Sequence, residues 1–221
     1  MERIMKILQV SAKIDLRLNK SASGDYDNLW PYVKEEAFNK AMNDWVRRQI
    51  HGKNQTQEGD EETTMRVDDL QVLLKIDKLA AKDQGDYSRI KLPPDYLYYK
   101  SLTPITTSGI CESMRMKSHL REEANVDDLV SVPSFAFEET FHTIIGNAAH
   151  IYHFKRFKID VAELTYYRKP KTYSFKKLED TVEFKDDVVE LVIDEACKII
   201  ASDLESFNQK TLAQERAENN N

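Results

Sequence analysis

Three histidines lie close together in the chain, His142, His150 and His153, and a metal would be their most obvious use. His150 and His153 are three apart, and that spacing on one strand sends side chains to opposite faces. No cysteine or acidic neighbour completes a four-ligand zinc pattern, so the sequence predicts no metal site and reads them as exposed strand histidines. Nucleophilic chemistry fares no better. Cys111 has no adjacent His or helix start to lower its pKa. Neither a nucleophile elbow nor a phosphate-binding glycine loop is present. The acidic pairs Glu122-Glu123, Asp127-Asp128 and Glu138-Glu139 are sequence neighbours, which rarely face one another, and read as solvated surface. The residues imply no catalytic group and no cofactor.

Charge is more informative. Between Lys155 and Lys177 the chain carries Lys155, Arg156, Lys158, Arg168, Lys169, Lys171, Lys176 and Lys177, offset only by Asp160 and Glu163. That stretch is +6 in a chain of net charge −6, so the remainder is −12. The plain reading is a strand edge guarded by lysines. The sharper one is a surface for DNA phosphates or for an acidic partner. Tyr152, Phe154, Phe157, Tyr166, Tyr167 and Tyr173 interleave it. Together with Trp30, Trp45, Tyr96, Tyr98 and Tyr99 they are many amphipathic aromatics for one domain, as assembly interfaces require. A net charge of −6 opposes general nucleic-acid affinity of the whole chain.

The elements that position these residues follow from periodicity. Asp186 to Gln209 has Val189, Val192, Ala196, Ile199 with Ile200, and Leu204 at three- and four-residue steps, the stripe of a long amphipathic helix. Its expected partner is a helix over 26–50, whose stripe is Trp30, Val33, Ala37, Ala41 and Trp45, flanked by Phe38 and Met42. Pro31 fits that helix's first turn. Further helices are expected at 4–18 and 64–75, the second with Val67, Leu70, Leu73 and Leu74 inward. Residues 51–63 have no large apolar side chain and read as a solvated loop.

From Asp83 the texture becomes β. Strands are expected at 102–107 and 110–120, with a short helical turn near 93–99 and another at 125–130. The clearest β signal is 140–167: Phe141, Thr143 and Ile145 alternate, Gly146-Asn147 turns the chain, and Ala162, Leu164 and Tyr166 share a face. The predicted class is α+β: a helical bundle of N-terminal helices and a long C-terminal helix, with an inserted, mostly antiparallel β domain. Its expected divisions are 1–82 helical, 83–185 β-rich, 186–209 helical and 210–221 a polar tail. The two cysteines, Cys111 and Cys197, read as reduced thiols, with Cys197 on the buried side of its helix. The N-terminus is too charged for a signal peptide, and no apolar run is long enough to span a membrane.

Several strings also resemble structural proteins of crAss-like bacteriophages. They are Glu36-Ala37-Phe38-Asn39-Lys40-Ala41 running into Trp45-Val46-Arg47-Arg48-Gln49, Asn54 to Glu61 followed by Asp68 to Leu74, Leu92-Pro93-Pro94-Asp95-Tyr96-Leu97, Glu123 to Leu129, and Ala162 to Pro170. The plan of helices around an inserted β domain resembles head–tail connector (adaptor or neck) proteins of short-tailed phages. That resemblance implies a virion protein, made in the host bacterial cytoplasm, that forms a dodecameric ring in the portal–tail neck. It would extend the DNA channel and touch the portal protein, adjacent neck or tail proteins and, without sequence reading, the genomic DNA. The eight basic residues would face the DNA or a partner, and the loop 53–63 or the tail would reach a neighbour. The alternatives are a phage-encoded, non-sequence-specific nucleic-acid-binding module and a small hydrolase with an unrecognised site.

Overall fold

The computed structural model describes residues 5–21, 29–51, 68–108, 111–122 and 132–218. Of the loop expected at 51–63, all but His51, which is helical, falls outside these, as do the start of the helix at 64 and the helical turn at 125–130. The chain is mixed α+β, in two compact units: 1–72 with 170–221, and 73–169 inserted between them. The divisions fall at 72/73 and 169/170, earlier in both cases than 82/83 and 185/186.

In the first unit α1 (Ile7–Ser21) and α2 (Pro31–His51) both pack on α3 (Asp186–Glu218). The pairing of α2 with α3 is the one their stripes predict. Ala37, Phe38, Ala41, Met42, Trp45 and Val46 are buried on α2, and Val188, Val189, Val192, Ile193, Ala196 and Ile200 on α3. Trp30 breaks the expectation: it precedes the first helical residue and is 70% exposed. Cys197 is half-buried, and burial lifts its thiol to about 11. α3 runs past 209 to Glu218, because nothing from Lys210 onward breaks a helix and Leu, Ala, Gln, Glu and Arg favour it. The connection from 170 to 185 is anchored rather than loose. Asn39 exchanges two hydrogen bonds with the Tyr173 backbone, at 2.8 and 2.9 Å. Glu35 accepts from Ser174 and Phe175, while Phe38 meets the Tyr173 and Phe175 rings edge-on.

The second unit is two sheets. The strands are β1 (Leu74–Ala80), β2 (Lys82–Asp83), β3 (Tyr87–Lys91), β4 (Tyr96–Ser108), β5 (Cys111–Arg115), β6 (Lys117–Leu120), β7 (Glu139–Ile145), β8 (Ala148–Tyr152) and β9 (Ile159–Arg168). One sheet has the order β1-β9-β4-β5, the other β2-β3-β8-β7-β6. All pairs are antiparallel except β6 with β7. Their inner faces meet in one core that joins Ile90, Ala149 and Ile151 to Leu102, Ala162, Leu164 and Tyr166. The expected β7–β8 hairpin forms about Gly146, at φ +59°, and β9 buries Ala162, Leu164 and Tyr166 as its alternation predicts.

Three expectations are corrected. The helix expected to reach Lys75 gives way at Gln71–Leu73 to a 3-10 turn, and Leu74 and Lys75 start β1, where pairing with β9 overrides a helix-like stripe. Tyr96 to Tyr99 belong to β4 rather than to a helical turn, because their backbone pairs with 166–168. Residues 111–120 are two strands, not one. Met116 is buried between them and donates its N–H to Pro104 O, so the chain leaves one sheet there and enters the other.

Candidate functional site

The eight basic residues do not form one patch within the inserted unit. Lys155, Arg156 and Lys158 lie in the β8–β9 connection, and Arg168 and Lys169 at the far end of β9, a ten-residue strand spanning about 33 Å. Lys171, Lys176 and Lys177 belong to the other unit, on the exposed side of its anchored connection. Several are already engaged. Lys155 faces Asp86 at 3.6 Å, Lys158 pairs with Asp160 at 3.1 Å, and the Arg156 guanidinium donates to Pro133 O at 3.3 Å.

The connection holding the first three is strained. Phe154 and Lys155 both take left-handed conformations, φ +45° and +60°, and the Arg156 N–H closes on His153 O at 2.9 Å. This is the geometry of a type I′ turn, which ordinarily selects Asn and Gly. It is held from both sides. The N–H groups of His153 and Phe154 donate to Asp86 O, and Phe154 packs on Phe141 and Tyr152.

Contrary to the expectation of exposed histidines, His142 and His153 are buried. His142 Nδ1 lies 2.7 Å from Ser118 Oγ, and its Nε2 has no partner. Burial, with a smaller push from His119, lowers its pKa to about 4, so it is neutral at pH 7. His153 Nε2 meets Ser88 Oγ at 3.2 Å, and its Nδ1 accepts the Lys155 N–H. Among the described residues no three His, Cys, Asp or Glu side chains converge as a metal centre would need. A second polar cluster joins β1, β4 and β9. The Tyr166 hydroxyl lies 2.9 Å from Asp77 and 2.8 Å from Asp95, and Lys75 reaches both carboxylates. Burial works to raise the Asp95 pKa, but the Tyr166 and Lys75 hydrogen bonds outweigh it and hold the carboxyl below its usual range. Tyr166 is raised, by burial first and then by the two carboxylates. The network is a brace with every member occupied.

A different surface collects unengaged charge. Alternation turns Ser88 and Ile90 into the core and Tyr87, Arg89 and Lys91 outward, on the face of the five-stranded sheet away from the other sheet. Strand register then lays out two rows on this face. Tyr87, Tyr152, Phe141 and His119 form one, and Lys82, Arg89, His150 and Thr143 the other. Phe141 and Tyr152 stack at 5.0 Å with Arg121 over the Phe141 ring at 4.7 Å, and both rings are buried. Tyr87 and His150 stack at 4.6 Å and are only half-buried. Lys82, Arg89 and Lys91 are exposed, and no described residue pairs with them. Beside the first row is a cleft of about 190 Å³ walled by His119, Arg121, Pro133, Phe137 and Phe141, small for a ligand pocket. The sequence signal for the outward cations was the strict alternation of Tyr87-Ser88-Arg89-Ile90-Lys91, outweighed by the denser charge downstream. Neither a known protein family nor a curated protein matches this chain.

Proposed function

We propose that this chain is a non-enzymatic structural protein of a phage virion, forming a closed ring in the neck between portal and tail. The ring, of about twelve copies, extends the DNA channel and offers a docking surface to tail components. The resemblance of its sequence strings to crAss-like phage structural proteins supplies the place. The observation that carries the assembly role is the exposure of large apolar side chains on both units. In the first unit Leu16 is 68%, Trp30 70% and Tyr32 64% exposed; in the second, Phe137 is 78% exposed. Exposed apolar side chains that cluster, as Trp30 and Tyr32 do at the start of α2, mark interaction surfaces. A ring needs two different patches on each copy, since each subunit meets one neighbour with one surface and the next with another. Leu8, Ala12 and Leu16 add an outward stripe at four-residue steps on α1, opposite the face that Ile7, Val10, Ile14 and Leu18 bury.

Native mass spectrometry of the purified chain, with and without the phage portal protein, is the test. A closed oligomer of about twelve, alone or on the portal, is expected, and Trp30→Ser with Tyr32→Ser or Phe137→Ser should each reduce it to smaller species. A chain that stays monomeric at all concentrations and ignores the portal overturns the reading.

A further inference from the structure

The outward cations of the five-stranded sheet need an explanation that a guarded edge does not give. Lys82 and Arg89 are directly opposite one another on adjacent strands, where like charges destabilise the pair. Lys91 lies two residues further along β3, about 6.6 Å from Arg89 and across the direction of the Lys82–Arg89 pair, so the three cations form a bent track. The acids beside these cations in the sequence are committed elsewhere. Asp83 caps the Gly85 N–H at 2.8 Å and lies 3.7 Å from His153, and Asp86 faces Lys155. Among the described residues the charge on this face is thus left over after local pairing. Beside it the stacked Tyr87 and His150 rings keep part of their surface in solvent.

We propose that this face binds single-stranded nucleic acid, with Lys82, Arg89 and Lys91 on successive phosphates and the Tyr87–His150 pair as a stacking surface for a base. Cations spaced along a strand track a flexible phosphate backbone, and aromatic rings beside them accept any base without reading sequence. A duplex would offer only its phosphates and leave the rings unused. An acidic protein segment would satisfy the cations but not the rings. The inference does not depend on ring assembly: it concerns the surface of one unit and is read on the chain in any oligomeric state.

Fluorescence anisotropy of the full chain with a labelled oligothymidine of about 20 nucleotides tests it, against a duplex of equal length and poly-glutamate. Binding is expected to prefer the single strand. With three phosphate contacts, affinity should fall about 20-fold between 50 and 200 mM salt. Tyr87→Leu should weaken binding about 10-fold, and Lys82→Ser with Arg89→Ser and Lys91→Ser should abolish it. Arg89→Ser alone, an exposed change that leaves the fold intact, should cost several-fold. Lys155→Ser with Lys158→Ser should change little. No binding at 50 mM salt overturns the proposal, as does a triple variant that binds like the parent. Equal or tighter binding of duplex or poly-glutamate, untouched by Tyr87→Leu, overturns it in favour of a purely electrostatic partner.

Discussion

His142 shows how a single side chain writes a pH dependence into the fold. Its ring is buried on β7, one nitrogen is matched to Ser118 and the other has no partner, so protonation inside the protein is opposed. The folded pKa of about 4 lies below the ordinary 6.5. Between those values the unfolded chain holds the proton and the folded chain does not, so stability rises with pH across the window. The contribution is therefore complete above pH 6.5 and lost as pH falls towards 4, on the order of 3 kcal/mol in all. Equilibrium urea unfolding from pH 7 to 4 should show this slope. His142→Gln, which has no charge to gain, should flatten it; an unchanged slope in the variant would assign the acid sensitivity to other groups. The sequence pointed to this histidine but misjudged its setting. Its setting comes from the pairing of β7 with β6, which brings the Ser118 hydroxyl to it from 24 residues earlier, and from the Tyr99 ring of β4, and no local pattern announces these.

At the scale of elements, the helices and the β7–β8 hairpin were legible because their signals are local: apolar stripes at 3.6-residue spacing, and Gly146-Asn147 between alternating runs. What was not legible depends on partners far along the chain. β1 borrows its state from β9, Tyr96 to Tyr99 take theirs from 166–168, and the break at Met116 exists only because two sheets compete for one segment. The candidate surface was lost for the same reason: Lys82 and Arg89 meet through pairing, not spacing. The tight turns on either side of β8 make a matched prediction. Gly146 sits at φ +59° with open space where a Cβ would go, so Gly146→Ala should cost about 1 kcal/mol through backbone conformation alone. Lys155, at φ +60°, already carries that cost, and Lys155→Gly should return about 1 kcal/mol. Chemical denaturation of both variants checks the pair. Destabilisation by Lys155→Gly would mean that the side chain, rather than the backbone, sets the stability of the strained turn.

The whole molecule is one chain closed around an insertion, and the geometry of that insertion predicts its independence. The inserted unit enters through β1 and leaves through β9, adjacent antiparallel strands with Leu74 opposite Tyr167. Its ends are therefore about 5 Å apart, the arrangement that lets a segment be inserted into a host without disturbing it. Its core, from Ile90 and Leu92 through Leu164 and Tyr166, is drawn wholly from residues of that unit. The helical unit likewise has its own apolar pairs, Phe38 with Tyr173 and Phe175, and Trp45 with Phe184. Its own ion pairs join Arg17 to Asp194 and Arg48 to Glu195. Each unit thus has an apolar core and ion pairs of its own, which is what separate folding requires. Residues 73–169 expressed alone should fold cooperatively, giving β-type circular dichroism and dispersed amide resonances. The remaining chain, with 72 joined to 170 by a few glycines and serines, should keep its helices. A fragment 73–169 that is unfolded, while the full chain melts in one transition, would show that the two cores are energetically one. A folded fragment would let the sheet face and the helical surfaces be assayed apart, tying nucleic-acid binding to the β unit and separating it from the Trp30 and Tyr32 contacts of assembly.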